Sequence, residues 1–256
     1  MPPALIYGNW IRRRNLLLLG GGVLVLAALT FLPFGPAYRL LVGALALIAL
    51  LSFLFPLYAY VMFSPRGGRF QDRLYGLLLD RLAQAPPGRL LDIGSGNGVL
   101  TAQLAAAHPA AQVTGVDSWG PAWEYSQSVC AHNARVLGVA ERVQFQQGDA
   151  ARLDFPAETF AGVVSNLTFH EVRAVADKRL VLTEALRVVQ PGGAFAFIDY
   201  FAEPAHYGPA ADFAAYLRGL PLQQVDYQPL SAVLPLPLPL RHPKILGRVG
   251  VVWGCK

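Results

Sequence analysis

Charged side chains are scarce in this sequence. They make up 14% of its 256 residues, against about a quarter in an average soluble domain, while apolar residues make up 54%. That deficit excludes a disordered chain or a coiled coil and asks for a segment whose solvent is lipid. Cysteine is scarcer still. Cys130 and Cys255 make no zinc-finger spacing and at most one disulfide, so no disulfide framework holds the fold and a reducing compartment is the natural setting. No His/Cys/carboxylate cluster has metal spacing, so no metal is expected, and no nucleophile elbow marks a Ser-His-Asp hydrolase. Acidic residues are missing altogether from positions 1 to 69, which carry six arginines (Arg12, Arg13, Arg14, Arg39, Arg66, Arg69). The net charge of +5 resides in this segment, because the rest of the chain holds 15 basic against 16 acidic groups. Basic groups that flank apolar runs orient a protein in a membrane and do not track phosphates, so nucleic-acid binding is not expected.

Two uncharged runs lie between those arginines, Leu16 to Phe34 and Leu40 to Phe63, with eight leucines each. As helices they would measure ~28 and ~36 Å, enough for a ~30 Å hydrocarbon core. Leucine alone contributes about −2.4 to −4.8 kcal/mol to the insertion of each. The link from Pro33 to Arg39 is rich in turn residues and predicts a hairpin, with Pro56 kinking or tilting its second arm. Three arginines at one base (12, 13, 14) and three at the other (66, 69, 73), against Arg39 at the tip, place both ends on the cytoplasmic side. The expectation is a transmembrane hairpin over residues 1–65 and a second domain over residues 66–256. The protein would then be a multi-pass component of the cell (inner) membrane, with both termini and the second domain cytoplasmic.

Past Ser64, short apolar runs alternate with helical stretches, the signature of an α/β domain with a largely parallel sheet. Helices are predicted over Phe70–Gln84, Gly98–Ala107, Pro121–Leu137 and Val175–Val189. Strands are predicted over Arg89–Ile93, Gln112–Val116, Val143–Gln147, Gly162–Asn166 and Ala194–Tyr200. The alternating LPLPLPL run at Leu234 to Leu240 reads as an edge strand or crossing segment, and Ile245 to Trp253 as a terminal antiparallel strand.

The first strand runs into Asp92-Ile93-Gly94-Ser95-Gly96-Asn97-Gly98 and then a helix. Glycines at alternate positions clear space for a nucleoside beside the free amides of a helix N-terminus. A dinucleotide fingerprint would need glycine where Val99 stands, and a phosphate-binding loop would need a Lys-Ser/Thr pair that is absent. The next strand ends in Asp117, where a carboxylate can accept both ribose hydroxyls. Asp149 and Asn166 end the third and fourth strands, so four successive strands finish in polar groups at one edge.

On these residues the chain resembles the class I S-adenosylmethionine-dependent methyltransferases, and most the small-molecule and quinone-biosynthesis subgroup. The resemblance is carried by LLDIGSGNG at 90–98, VTGVDS at 113–118, GDA at 148–150, VVSNLTFHEV at 163–172 and EALRVVQPGGAFAFIDY at 184–200. It covers roughly residues 70 to 256. It implies a doubly wound, seven-stranded Rossmann-like sheet whose last strand is antiparallel, preceded here by two transmembrane helices. It also implies S-adenosylmethionine as cofactor. Gly94, Gly96 and Gly98 would line the methionine moiety, with Asp92 near its amino group and Asp117 on the ribose. Asp149 would reach the adenine amino group, Ser118, Trp119 and Ala150 would flank the ring, and Asn166 would sit beside the sulfonium. The chain departs from the family at Phe160-Ala161, where an aspartate is common before the fourth strand, and in the membrane hairpin.

Methyl transfer from a sulfonium is an in-line displacement, so the protein mainly aligns the nucleophile. An oxygen acceptor gains from a base, and His170, on the loop leaving the fourth strand, is the best-placed catalytic candidate; Glu171, Asp199 and Tyr200 are weaker ones. The anchor points to a lipophilic acceptor such as a quinone precursor, a lipid or an isoprenoid. Methylation of a membrane protein, or a non-catalytic nucleoside-binding scaffold, are the alternatives.

Overall fold

A computed structural model describes residues 4–120 and 125–256. The chain divides into two compact units, one of Asn9–Gln71 and one of Met1–Gly8 with Asp72–Lys256.

The first unit is a helical hairpin of α1 (Arg13–Leu29) and α2 (Pro36–Phe63). Its arms run antiparallel. The Tyr38 hydroxyl donates to the Leu29 carbonyl near the tip, Gly20 faces Phe53 midway, and Trp10 meets Phe63 at the base, where Asn9 also donates to the Tyr60 carbonyl. Gly35 and Pro36 start α2 with an extended residue followed by one whose missing amide costs nothing at a helix start. The helix continues through Pro56.

The expectation of two membrane spans is corrected to a single candidate span. Among the described residues α2 alone is long and apolar enough to cross a membrane by length and composition. The first run falls short because its last residues, Thr30 to Phe34, leave the helix and form the turn, so α1 has only 17 residues, the first two of them arginines. Exposed large apolar side chains still concentrate on this hairpin, with Phe31 85%, Leu40 77% and Leu24 72% accessible. Outside residues 17–61, only Ile6, Leu180 and Leu238 are of this kind among the described residues.

The second unit begins with the body of α3 (Phe70–Leu82) and is built on a seven-stranded sheet. The strands are β1 (Arg89–Ile93), β2 (Gln112–Asp117), β3 (Val143–Gln147), β4 (Phe160–Asn166), β5 (Val189–Asp199), β6 (Gln224–Pro229) and β7 (Gly250–Cys255). Their order is β3-β2-β1-β4-β5-β7-β6, and β7 alone runs antiparallel to its neighbours. Between β1 and β2 lies α4 (Val99–Ala107), between β2 and β3 lies α5 (Gln127–Val136), and between β4 and β5 lies α6 (Arg179–Arg187). Every residue of β4 is buried, as expected for a central parallel strand covered on both faces. Phe160, Val163, Phe169, Val181, Phe195 and Phe197 are fully buried in one cluster, each contributing about 1.5–3 kcal/mol by leaving water.

Several predicted boundaries move. The helix expected from Pro121 has its first residues outside the described ones, and α5 starts at Gln127, capped by the Ser126 hydroxyl accepting from the Val129 amide. The helix expected from Val175 starts at Arg179, and β5 begins as early as Val189. The leucine-proline run is not a strand. Three prolines remove three ladder donors, and the chain instead buries Leu236 and Leu240, leaves Leu238 exposed, and turns helically over Leu238–Arg241. The terminal strand begins at Gly250, because Pro243–Gly247 forms a wide helical turn that buries Ile245 and Leu246. Two helices, α7 (Pro204–Tyr207) and α8 (Ala210–Arg218), and strand β6 were not expected.

Candidate active site

Strand β1 lies between β2 and β4, and the chain winds away from it in opposite directions, so a crevice opens at the carboxyl ends of β1 and β4. After Ile93 the chain leaves the sheet abruptly. The amides of Gly94 and Ser95 both donate to the Val116 carbonyl, at 2.7 and 3.1 Å, bending the turn over β2. Gly94, at φ +80°, accepts a conformation that side chains resist, and a Cβ there would stand 1.9 Å from Thr168 Oγ1. Gly98, at φ +72°, leads into α4 and would place a Cβ 2.8 Å from the Phe145 ring. Gly96 serves through its backbone: its amide donates to Asp117 Oδ2 at 2.8 Å, and its carbonyl accepts from the Trp119 indole at 2.9 Å.

Asp92 is buried at the end of β1, with Oδ2 accepting from Thr101 Oγ1 of α4 at 2.6 Å. Burial pushes its carboxyl up to about 7, aided by the nearby Asp117 and opposed by the Thr101 hydrogen bond. Three buried polar atoms around the crevice have no protein partner: Asp92 Oδ1, Ser95 Oγ and Asn166 Oδ1. Each would cost about 1–3 kcal/mol if left so, and their concentration where β1 and β4 end suits a polar ligand that completes them.

A cleft of about 290 Å³ opens here. Of the predicted cofactor residues, Gly94, Asp117, Ser118, Asp149 and Ala150 line it, joined by Thr168, Glu171 and Arg173. Asp92, Gly96, Gly98 and Asn166 belong to the turn and strand ends that frame it. Trp119 is not among the residues that line the cleft. At φ +40° it folds back onto the glycine turn, its amide donating to Asp117 Oδ1 and its indole to Gly96. Asp149 is exposed, with Oδ1 accepting from the Ala151 amide at 2.8 Å. Cys130 sits behind the turn, and burial pushes its thiol up to about 12, so it stays protonated and inert.

His170 lies on the short helical turn Phe169–Glu171 that follows β4. Asp199, fully buried at the end of β5, holds it twice: Oδ1 lies 2.6 Å from His170 Nδ1, and Oδ2 accepts from the His170 amide at 3.0 Å. Strands β4 and β5 pair with Asn166 opposite Ile198, which brings the two loop ends together. The Tyr200 ring meets the imidazole edge-on at 4.6 Å, and Glu171 Oε1 lies 3.6 Å from Nε2. Burial alone would lower the His170 value, but the charge and hydrogen bond of Asp199 outweigh it and raise it above 6.5. Buried Lys178 donates to the carbonyls of Val172 and Val175 and ties down the loop after His170. The sequence suggests Asp199 only weakly, since its partner is 29 residues away; Thr101, Thr168 and Lys178 carry no sequence signal.

Residues 91–197 match the family model described as a methyltransferase domain. The 27-O-demethylrifamycin SV methyltransferase of Amycolatopsis mediterranei is 33% identical over 144 residues, which are 56% of this chain and 48% of that one. The ubiquinone/menaquinone biosynthesis C-methyltransferase UbiE of Syntrophotalea carbinolica is 30% identical over 148 residues, 57% of this chain and 58% of that one. The chain thus spans about half the length of the curated relatives it matches. In fold it is similar to the geranyl diphosphate C-methyltransferase of Streptomyces coelicolor A3(2), solved with S-adenosyl-L-homocysteine. The TM-score is 0.54 at 15% identity, covering 73% of this chain and 80% of that one. In sequence, residues 91–197 are similar to methyltransferase domains, and the sheet is similar in fold to an enzyme solved with S-adenosyl-L-homocysteine.

Proposed function

We propose that the chain is a membrane-anchored methyltransferase that moves a methyl group from S-adenosylmethionine to a hydroxyl of a lipophilic small molecule. The observation that carries the oxygen acceptor is the His170–Asp199 pair beside the cleft. Relatives are named for both oxygen and carbon acceptors; a carbon acceptor has less need of a base held at raised basicity. The hairpin supports a lipophilic acceptor, with α2 as the span and the exposed apolar side chains of α1 beside it.

When bound, S-adenosylmethionine would supply a methyl carbon on a positively charged sulfur that leaves as a neutral thioether. Asp117 would accept from the ribose hydroxyls, and Asp92 Oδ1 and Ser95 Oγ would meet the amino acid end. Asp92 ionises readily beside a cation, because the attraction lowers the value that burial has raised. Asp199 fixes the proton on His170 Nδ1, leaving Nε2 with the lone pair that takes the acceptor hydroxyl proton. Glu171, on the exposed side of the ring, steadies the imidazolium that results.

The test incubates membranes containing the full-length protein with methyl-labelled S-adenosylmethionine, with Asp117→Ala as control, and partitions the label. Label in the organic extract is expected. Label in the protein fraction would replace the acceptor with a membrane protein, and label in neither would overturn methyl transfer. Resistance of the protein to carbonate extraction tests the anchor.

A further inference from the structure

The five residues Ala4 to Gly8, which precede the hairpin, pack with the methyltransferase unit. Their docking point is Asn133 on α5, a side chain with no exposed surface. Its Oδ1 accepts from the Ile6 amide at 2.8 Å. Its Nδ2 donates to the Ile6 carbonyl at 2.9 Å and to the Asn97 carbonyl at 2.8 Å. Asn97 stands between Gly96 and Gly98 in the glycine turn, and its Oδ1 faces the Ser126 amide that opens α5. One carboxamide thus reads the backbone of the N-terminal segment with one acceptor and one donor, and holds the glycine turn with its remaining hydrogen.

Three further contacts fix the segment. The Tyr7 hydroxyl donates to Asp72 Oδ1 at 2.6 Å, and the His132 ring meets the Ala4 carbonyl at 3.2 Å. The Tyr125 ring lies between Gly8 and Gly96: a Cβ on Gly8 would fall 2.1 Å from it and a Cβ on Gly96 3.6 Å from it. Polar and aromatic contacts therefore both run from the segment to the turn that frames the cleft.

We propose that Ala4–Gly8 is a strap belonging to the cofactor site, and that Asn133 is the positioning residue through which the docked strap holds the glycine turn in its binding shape. The proposal rests on the reading of that turn as the S-adenosylmethionine site. Without the strap, a buried carboxamide loses two of its three partners and is driven to turn toward others, which releases Asn97. Because the strap continues directly into the hydrophobic helices, cofactor affinity is coupled to the stretch of chain that leads to the membrane. Recognition is of backbone at position 6 and of the missing side chain at position 8. Ile6→Thr is therefore tolerated, whereas Ile6→Pro, which removes the amide, and Gly8→Val, which collides with Tyr125, undock the strap.

The test measures S-adenosylmethionine affinity by calorimetry on the full chain in detergent. The variants are Ile6→Thr, Ile6→Pro, Gly8→Val and a deletion of residues 2–7. The expected result is affinity within twofold of wild type for Ile6→Thr and at least tenfold weaker for the other three. For the deletion variant, millimolar synthetic peptide spanning residues 2–9 should restore affinity, which a merely misfolded domain would not allow. Linkage requires the reverse effect as well: saturating S-adenosylmethionine should slow hydrogen exchange of the Ile6 amide in the wild type by about tenfold. Wild-type affinity in the deletion variant, or unchanged exchange at Ile6 on cofactor binding, overturns the strap. If the wild type itself fails to bind S-adenosylmethionine, the cofactor reading falls and the strap proposal falls with it.

Discussion

Replacing Asp92 by asparagine isolates the cost of burying one carboxylate. In the folded protein without ligand this group titrates at about 7 instead of 3.8, chiefly because it is buried. As pH rises above 3.8 the unfolded chain ionises at this position while the folded protein keeps its proton until about 7. The unfolded state then binds fewer protons, and stability falls across that interval. Integrating between pH 5 and pH 8 gives a loss of about 2–3 kcal/mol from this one group. The asparagine variant, which has no proton to lose at this position, carries no such penalty. The melting temperatures of wild type and Asp92→Asn, measured in detergent without ligand, should therefore diverge with pH in favour of the variant. The added gap at pH 8 over pH 5 is about 5–10 °C for a domain of this size. Cofactor binding should reverse the advantage. A cationic ligand draws Asp92 into its ionised form, so the wild type at pH 7 should release about half a proton on binding, seen by calorimetry in buffers of different ionisation heat. The variant should bind more weakly and release none from this site. Parallel melting curves for the two proteins would refute the assignment of the raised value to burial of Asp92.

Substitutions elsewhere in the site have equally definite outcomes. Asp117→Ala should weaken S-adenosylmethionine binding at least tenfold, because it removes both the ribose acceptor and the carboxylate that receives the Gly96 amide; unchanged affinity would remove the ribose assignment. Gly94→Ala should destabilise the domain by at least about 1–2 kcal/mol from left-handed strain alone, with the clash at Thr168 adding to it, and a melting curve like the wild type would show that the turn is not held as described. His170→Ala should lower turnover by roughly 10²–10⁴-fold. In the wild type, turnover should rise with pH through a value above 6.5, since the base must be neutral and Asp199 raises its affinity for protons. Asp199→Asn should move that limb to lower pH, and a profile unmoved by the change would exclude His170 as the titrating base.

The parts of the site that lie along single stretches of sequence were legible there. Glycines at 94, 96 and 98 mark the turn because each adopts a positive φ, and Asp92 and Asp117 are visible as strand ends. What the sequence hides is pairing across the sheet. His170 looks like an isolated loop histidine until β4 and β5 align and set Asp199 against it, and Asn133 looks like a helix-surface asparagine until Ile6 arrives from 127 residues away. The region from Pro204 to Pro229 was missed for a different reason. Its helices have four and nine residues, too few for a clear period, and β6 is only partly buried and correspondingly polar. The proline-leucine run shows the opposite error: its alternation imitates a strand, but its backbone lacks the donors that a ladder needs.

The order of strands also has a consequence for how the protein is made. Strand β7 fills the slot between β5 and β6, yet it is synthesised after both of them. While the ribosome is still extending the chain toward Gly250, the edge of β5 is open and β6 has no neighbour in the sheet, with Phe195 and Phe197 on a strand whose ladder is incomplete. The apolar hairpin has by then long emerged. Biosynthesis thus divides in time: the apolar hairpin is complete first, and the sheet-bearing unit waits with an unpaired strand edge that is prone to the wrong partner. A chaperone that shields that edge, or slow translation that holds it open, should change the yield of active protein without changing a single contact of the finished fold.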